Sequence, residues 1–207
     1  MVPLISVIIG TRPEAIKLAP VILELKKYPK IRTKVILSGQ HLEIVNEVLD
    51  LFQIKEDSNL NIMKRGQSIN KINSKLFSGL DKEFKKLRPK LVLVQGDTST
   101  TFAAAMSAFC EKIPIGHIEA GLRTNNLFEP FPEEANRRLV TQLASLHFAP
   151  TEISKKNLLA CGVNKKDIFI TGNTVIDSLF YISEKLNDND FTKYKQGDFI
   201  LVTIHRR

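Results

Sequence analysis

The sequence predicts an α/β protein built on a doubly wound parallel sheet. Three observations carry that prediction. Short runs such as Leu4–Ile9 and Leu91–Gln95 are apolar almost throughout, as strands covered on both faces are. Between such runs lie longer segments whose apolar residues recur at helical spacing. The two kinds alternate along the chain, which is the pattern of right-handed strand–helix–strand crossovers.

The first strand, Leu4–Ile9, ends at Gly10. Residues 14–27 form a helix with Ile16, Ala19, Ile22, Leu23 and Leu25 on its apolar stripe. Residues 33–37 are a second strand, and residues 42–52 a helix with Val45, Val48, Leu49 and Phe52 inward. A short strand is expected near residues 59–63, then a long helix over Ile69–Leu87 stopped by Pro89. The strand Leu91–Gln95 leads into a helix of small residues over 100–110, suited to close packing on a sheet. Residues 114–118 and 147–150 read as strands, with a helix over 133–146 between them, introduced by Pro130 and Pro132. A helix over 152–161 closes at Gly162; a strand over 168–171 and a helix over 174–186 follow. Residues 187–197 are polar and read as a loop; residues 199–204 read as a further strand, followed only by His205, Arg206 and Arg207. A strand with no helix to cover it suggests the first unit of another domain. The expected organisation is one domain over 1–170, with 171–207 a linker helix and the first strand of a second domain.

Bulk composition narrows the function classes. With 207 residues and 43% hydrophobic content, the chain can bury one full α/β core. No apolar run is long enough to span a bilayer, and the amino terminus lacks a basic leader and a small-residue cleavage site. Cys110 and Cys161 sit in no CxxC or Cys/His cluster, so reduced thiols in a cytoplasmic protein are expected, without metal or redox cofactor. The net charge is +8, but the lysines fall in scattered pairs late in helices or just past them, where cations suit the helix dipole. With three tyrosines and no tryptophan there is no aromatic–basic stacking surface, so no nucleic-acid partner is expected.

In an open parallel sheet, ligands sit beyond the carboxyl ends of the strands. Three strand ends are unusually polar there: Gly10 to Lys17, Gly96 to Thr100, and Glu119 to Arg123. They place Arg12, Asp97, Glu119 and Arg123 on one rim, and His205 would join from the last strand. Arg12, Lys17 and the amino terminus of the first helix suit a phosphate or diphosphate, with Gly10, Gly96 and Gly121 allowing close backbone approach. No G-x-G-x-x-G or G-x-x-x-x-G-K motif occurs. Arg12 is equally well a surface arginine capped by Glu14, and Asp97 an N-cap or turn residue. Glu119 is harder to explain as framework, since a carboxylate directly after an apolar strand faces the cleft. Asp97 and Glu119, on adjacent loops, are a candidate acid/base pair. Glu133 and Glu134 open a helix, where acids also suit the dipole. His117 and His147 read as packed histidines, and the pair Gln40-His41 as a helix cap.

Longer motifs narrow the reading. The run Gly10-Thr11-Arg12-Pro13-Glu14-Ala15-Ile16-Lys17-Leu18-Ala19-Pro20 resembles the opening signature of non-hydrolysing UDP-N-acetylglucosamine 2-epimerases. The resemblance continues through Gly39-Gln40-His41, Val94-Gln95-Gly96-Asp97-Thr98, Gly116-His117-Ile118-Glu119-Ala120-Gly121-Leu122-Arg123-Thr124 and Pro132-Glu133-Glu134-Ala135-Asn136-Arg137. Ile170-Thr171-Gly172-Asn173-Thr174 and Val202-Thr203-Ile204-His205-Arg206-Arg207 extend it over the whole chain.

The resemblance implies two Rossmann-like domains about a cleft, the GT-B arrangement of one large class of glycosyltransferases, with the second domain largely missing. It implies interconversion of UDP-N-acetylglucosamine and UDP-N-acetylmannosamine through anti elimination and re-addition of UDP, needing no metal or cofactor. Asp97, Glu119 and Glu133 are then the acid/base set. His205 acts with Arg12 and Lys17 on the departing diphosphate, and Arg123 belongs to the substrate-binding rim. Gln40 and His41 match a region that in some members holds a second, regulatory UDP-N-acetylglucosamine; Glu43 and Gly66 depart from those members. Family members are usually homodimers and nearly twice this length, so the fragment is expected to be inactive or nearly so. The rival readings are a hydrolysing epimerase, a GT-B glycosyltransferase and a non-catalytic binding fragment.

Overall fold

A computed structural model describes the chain except residues 1, 40, 41, 65, 125, 187–199, 201 and 203–207. Seven parallel strands form one sheet: β1 Leu4–Ile9, β2 Arg32–Leu37, β3 Ser58–Asn59, β4 Leu91–Gln95, β5 Ile115–Ile118, β6 Leu146–Ala149 and β7 Ile168–Ile170. Their order is β3-β2-β1-β4-β5-β6-β7. The chain winds outward from β1 in one direction, returns, and winds outward from β4 in the other. The crevice at the carboxyl ends of β1 and β4 is therefore the topological switch point, where open sheets bind ligands.

Among the described residues there are seven α-helices: α1 Arg12–Lys26, α2 Leu42–Leu51, α3 Ile69–Leu87, α4 Ser99–Cys110, α5 Glu133–Leu143, α6 Glu152–Ala160 and α7 Val175–Lys185. Consecutive residues of β1 serve opposite faces, which is why the strand is apolar without alternation. Val7 and Ile9 pack with Leu18 and Ile22 of α1 and Val45 and Leu49 of α2. Ile8 packs with Leu76, Leu80 and Phe84 of α3 and the alanines of α4. Those small α4 residues, Ala103, Ala104, Ala105 and Ala108, are fully buried and let the helix lie close to the sheet. Among the described residues no helix is long and apolar enough to cross a membrane.

The helix ends follow local chemistry. Glu14 reaches back to accept from the Thr11 N–H at 2.5 Å, one half of a capping box at α1, with Pro13 in the first turn. Ser68, Thr98 and Thr151 cap α3, α4 and α6 through their hydroxyls. Thr98 is thus the cap of α4, and Asp97 is free of that task. Helix α7 lies back across α1 and α2: Tyr181 stacks on Phe52 at 4.8 Å, and the Ser178 hydroxyl donates to the Ile16 carbonyl at 2.5 Å. The strand expected over 199–204 and the polar loop before it fall almost wholly outside the described residues.

Candidate active site

The rim at the switch point is assembled from four segments: the β1–α1 turn, the β4–α4 turn, the β5 end with its following loop, and the first turn of α5. Asp97 ends the β4–α4 turn and is held from several sides. Its carboxylate receives the Arg137 guanidinium at 2.7 Å, and its carbonyl receives the Asn136 side-chain amide at 2.8 Å. The preceding carbonyl, Gly96, is bonded to His117 Nε2 at 2.7 Å. A carbonyl only accepts, so His117 carries its proton on Nε2. Burial pushes the His117 pKa down to about 4, so the ring is neutral at physiological pH. Gly96 has φ 73°, a conformation that only glycine adopts without strain.

Burial raises the Asp97 pKa above the usual carboxylate value; Arg137 opposes this, the nearby charges of Glu133 and Glu119 add to it, and Lys17 opposes it. Glu133, Glu119 and Lys17 are thus all within electrostatic reach of Asp97. Glu119 borders the same turn as Asp97, since a Cβ on Gly96 would stand 3.8 Å from Glu119 Oε2. A carboxyl raised in this way is suited to exchanging protons with a carbon acid.

Glu119 sits at the end of β5 with φ 64°, a left-handed conformation that costs a non-glycine residue roughly 1–2 kcal/mol. Its oxygens accept from Lys17 Nζ at 2.7 and 2.6 Å, from Gln95 Nε2 at 2.5 Å and from Asn173 Nδ2 at 2.9 Å.

Several expectations need correction. The two N–H groups just ahead of the first helix are not free for a phosphate. The Gly10 and Thr11 N–H groups donate to Glu14 Oε2 at 2.8 and 2.5 Å, so a carboxylate of the chain already occupies that position. Nor does Glu14 cap Arg12: its other oxygen accepts from the Thr98 and Thr101 hydroxyls at 2.6 and 2.9 Å. Arg12 is exposed and makes no ion pair among the described residues, which leaves it as a cation of the rim. Lys17 is paired with Glu119. Arg123 is turned away: its guanidinium donates to the Leu122 carbonyl at 2.7 Å and the Thr141 hydroxyl at 2.8 Å, joining the loop to α5. Of the three glycines expected to admit a ligand, only Gly96 fits. A Cβ on Gly10 would strike the Thr100 side chain, and one on Gly121 the Ser154 carbonyl, so both serve packing.

His117 and His147 are buried histidines, as expected. Gln40, His41 and His205 lie outside the described residues. No cluster of metal-ligating side chains occurs among the described residues.

Sequence reasoning gives Glu14 and Glu134 only local roles, as a partner of Arg12 and a helix-opening acid, and gives Arg137 none beyond its motif. The Thr11-x-x-Glu14 spacing is the capping-box signal and was legible. Glu134 is fully buried; it accepts from Arg138 Nε at 2.6 Å and lies 3.4 Å from Arg137 Nε. Arg137 therefore bridges Glu134 and Asp97. The helical spacing of Glu134 and Arg137 hinted at a pair, but nothing local pointed to Asp97.

The structure is thus a doubly wound domain whose switch-point rim carries paired carboxylates and cations. The family model described as UDP-N-acetylglucosamine 2-epimerase matches residues 23–207, and the chain belongs to that family. The Neisseria meningitidis UDP-N-acetylglucosamine 2-epimerase is 51% identical over 97% of this chain and 56% of its own length. The Bacillus subtilis UDP-N-acetylglucosamine 2-epimerase is 47% identical over 98% of this chain and 54% of its own. A crystal structure of the Neisseria enzyme bound to UDP-GlcNAc superposes with a TM-score of 0.86 at 53% identity, covering 92% of this chain and 52% of that one. The lipopolysaccharide outer core galactosyltransferase WaaB, at 16% identity and a TM-score of 0.61, shares the fold alone. The chain spans about half the length of these relatives and corresponds to their amino-terminal half.

Proposed function

We propose that this chain supplies the amino-terminal half of a non-hydrolysing UDP-N-acetylglucosamine 2-epimerase. The observation that carries the reading is the pair of carboxylates on neighbouring strand ends at the switch point, Asp97 paired with Arg137 and Glu119 with Lys17, with the charge of Glu133 also acting on Asp97. Removing the C2 proton of an amino sugar needs a positioned carboxylate and a leaving group. One acid of the rim takes the proton, and the C1–O bond to the diphosphate breaks with its electron pair. UDP departs and a 2-acetamidoglucal remains. UDP then adds back at C1 while a second acid returns a proton to the other face of C2. Arg12, and His205 by resemblance, stabilise the charge growing on the diphosphate. No redox step is involved.

Helix α7 packs back on α1 and Phe52, so the described domain includes it, and the relatives carry about as much chain again, which would close the cleft. A half-cleft encloses little of a nucleotide sugar, so the 207-residue chain alone is expected to turn over poorly. The assay uses UDP-N-acetylglucosamine in deuterium oxide, with the chain alone and with a separately expressed carboxyl-terminal half of a family member. UDP-N-acetylmannosamine labelled at C2, appearing only with both pieces, supports the reading. Free N-acetylmannosamine and UDP would show the hydrolysing reaction instead, and robust turnover by the chain alone would overturn the half-site argument. The protein is read as cytoplasmic and as a homodimer. Met106, Phe109 and Leu139, exposed on the neighbouring helices α4 and α5, supply an apolar face for the dimer, and light scattering tests it.

A further inference from the structure

Glu119 is bound more tightly than a proton-transfer group requires. Lys17, on α1, reaches both of its oxygens. Gln95, the last residue of β4 and only 2% exposed, donates to Oε2 at 2.5 Å. Asn173 donates to Oε1 at 2.9 Å from the segment that leaves β7 for α7. The same Asn173 is itself held, because its Oδ1 accepts from the Val175 N–H at 3.1 Å. Its amide orientation is thus set: oxygen toward the start of α7, nitrogen toward Glu119. Helix α7 is in turn fastened to α1 through Ser178 and the Ile16 carbonyl, one residue before Lys17. The carboxylate, its lysine and the linker helix form one closed circuit of contacts.

We propose that Gln95 and Asn173 are positioning residues for Glu119, and that through Asn173 the segment joining β7 to α7 sets the geometry of the reacting rim. The proposal rests on the reading that Glu119 belongs to the acid/base set. The backbone of Glu119 is left-handed, so its side chain leaves the strand in a direction that ordinary extended geometry would not give. The two neutral donors and Lys17 together fix that direction. Each oxygen keeps one lysine contact and one amide contact, so the side chain cannot rotate without losing donors on both oxygens. The Gln95 amide is placed only against Glu119, and the second task of Asn173, accepting from the Val175 N–H, falls to its oxygen and leaves the nitrogen for Glu119. Gln95 could be apolar like the rest of its strand, and Asn173 stands in a turn after Gly172 where many polar residues would serve.

The test pairs the chain with the carboxyl-terminal half and compares the parent with Asn173→Asp and Asn173→Ala. The aspartate is isosteric but presents an anion to Glu119 Oε1 in place of a donor. Two carboxylates sharing one site raise each other's protonation, and once protonated the introduced carboxyl is again a donor. The expected result near pH 8 is a kcat lower by about tenfold or more in Asn173→Asp with KM changed less than about twofold. The loss narrows as pH falls toward about 5.5, whereas the smaller loss in Asn173→Ala stays constant with pH. Equal losses in the two variants at every pH, or no loss in either, would overturn the proposal, since a merely structural asparagine predicts no pH-dependent difference.

A second measurement uses the 207-residue chain by itself. The side-chain amide resonances of Asn173 and Gln95 should move when Glu119→Gln is introduced into the folded chain, and unmoved resonances overturn the clamp. If the paired parent shows no epimerase activity, the functional reading fails and the amide resonances alone decide whether the clamp exists.

Discussion

Glu14 is the clearest test of what holds the rim together. It is only 2% exposed, and its four donors come from two different turns: Gly10 and Thr11 after β1, Thr98 and Thr101 after β4. Burial nonetheless raises its carboxyl pKa, and the four hydrogen bonds only partly offset the cost. Glu14→Ala removes every acceptor. The Thr101 hydroxyl keeps a second acceptor, the Gln95 carbonyl at 2.7 Å, but the two N–H groups lose theirs. Each orphaned buried donor costs about 1–3 kcal/mol, so about 3–5 kcal/mol is expected once lost packing is included. Glu14→Gln is different. Its carbonyl can replace Oε2 and accept both N–H groups, while its amide nitrogen replaces Oε1 and donates to the two threonine oxygens. It forfeits charge-assisted strength and is relieved of desolvation, so it should lie within about 1 kcal/mol of the parent near neutrality. The sign with pH follows from the direction of the shift. A carboxyl whose folded pKa lies above its unfolded value stabilises most below the unfolded value, and that contribution is lost as pH rises through the folded one. The Gln variant should therefore gain on the parent as pH rises across that window. Urea unfolding followed by circular dichroism at a series of pH values measures both effects. Equal destabilisation by Ala and Gln, or a Gln difference that is flat with pH, would refute the account of Glu14 as a desolvated carboxylate tying two turns together.

Arg137→Leu removes the strongest influence holding the Asp97 pKa down, so the Asp97 carboxyl should titrate at still higher pH by carbon-13 resonance; an unmoved titration would separate Arg137 from the site. His117→Gln keeps a donor where Nε2 stands but cannot be charged. The folded pKa of about 4 lies below the usual 6.5, so the stability His117 contributes is present above about 6.5 and lost as pH falls toward 4. That loss amounts to about 3 kcal/mol, and the Gln variant should resist acid unfolding by a comparable amount. Arg123→Ala should lower stability by about 1–2 kcal/mol while leaving the Asp97 titration unchanged, as befits a strut between the loop and α5. Arg12→Ala should change stability by less than about 0.5 kcal/mol yet weaken UDP binding by the paired halves in calorimetry.

The fold was legible because its signals are local and repeated. Leu4–Ile9, Ile69–Leu87 and Leu91–Gln95 run between the very residues the sequence pattern indicates. A buried strand is apolar throughout, and a proline ends a helix, wherever either occurs. Boundaries slipped where a cap overrode the pattern: α5 ends at Leu143, with Ala144 extended, although the apolar residues run on to Leu146. The rim was legible only to the depth of the strand ends. Position after a strand placed Asp97 and Glu119 on one rim, but it could not say which cation belongs to which acid. That pairing depends on distances between loops far apart in sequence: Lys17 reaches across 102 residues to Glu119, and Glu14 across 84 to Thr98. Arg123 follows Glu119 closely in the chain, yet Gly121, with φ 90°, turns the loop so that its guanidinium meets α5 instead.

The carboxylates of this domain therefore divide by what surrounds them rather than by motif. Glu14 and Glu134 are buried and bound by backbone N–H groups, hydroxyls or arginines of the framework, where no substrate carbon can approach. Asp97 and Glu119 keep 27% and 11% of their side chains open. Among the described residues Asp97 has a single ion-pair partner, and its pKa is raised, while Glu119 is held by a lysine and two amides. A group that must take up and release a proton needs a free lone pair and room for a reacting atom about 3 Å away. Asp97 meets that requirement better than Glu119. On this reasoning Asp97→Asn should abolish exchange of the C2 hydrogen with solvent in the paired halves. Glu119→Gln should instead slow exchange and epimerisation together, by loosening Lys17. If Glu119→Gln abolishes exchange while Asp97→Asn retains it, the two roles are reversed, and the openness of a carboxylate is not what selects the proton-transfer group on this rim.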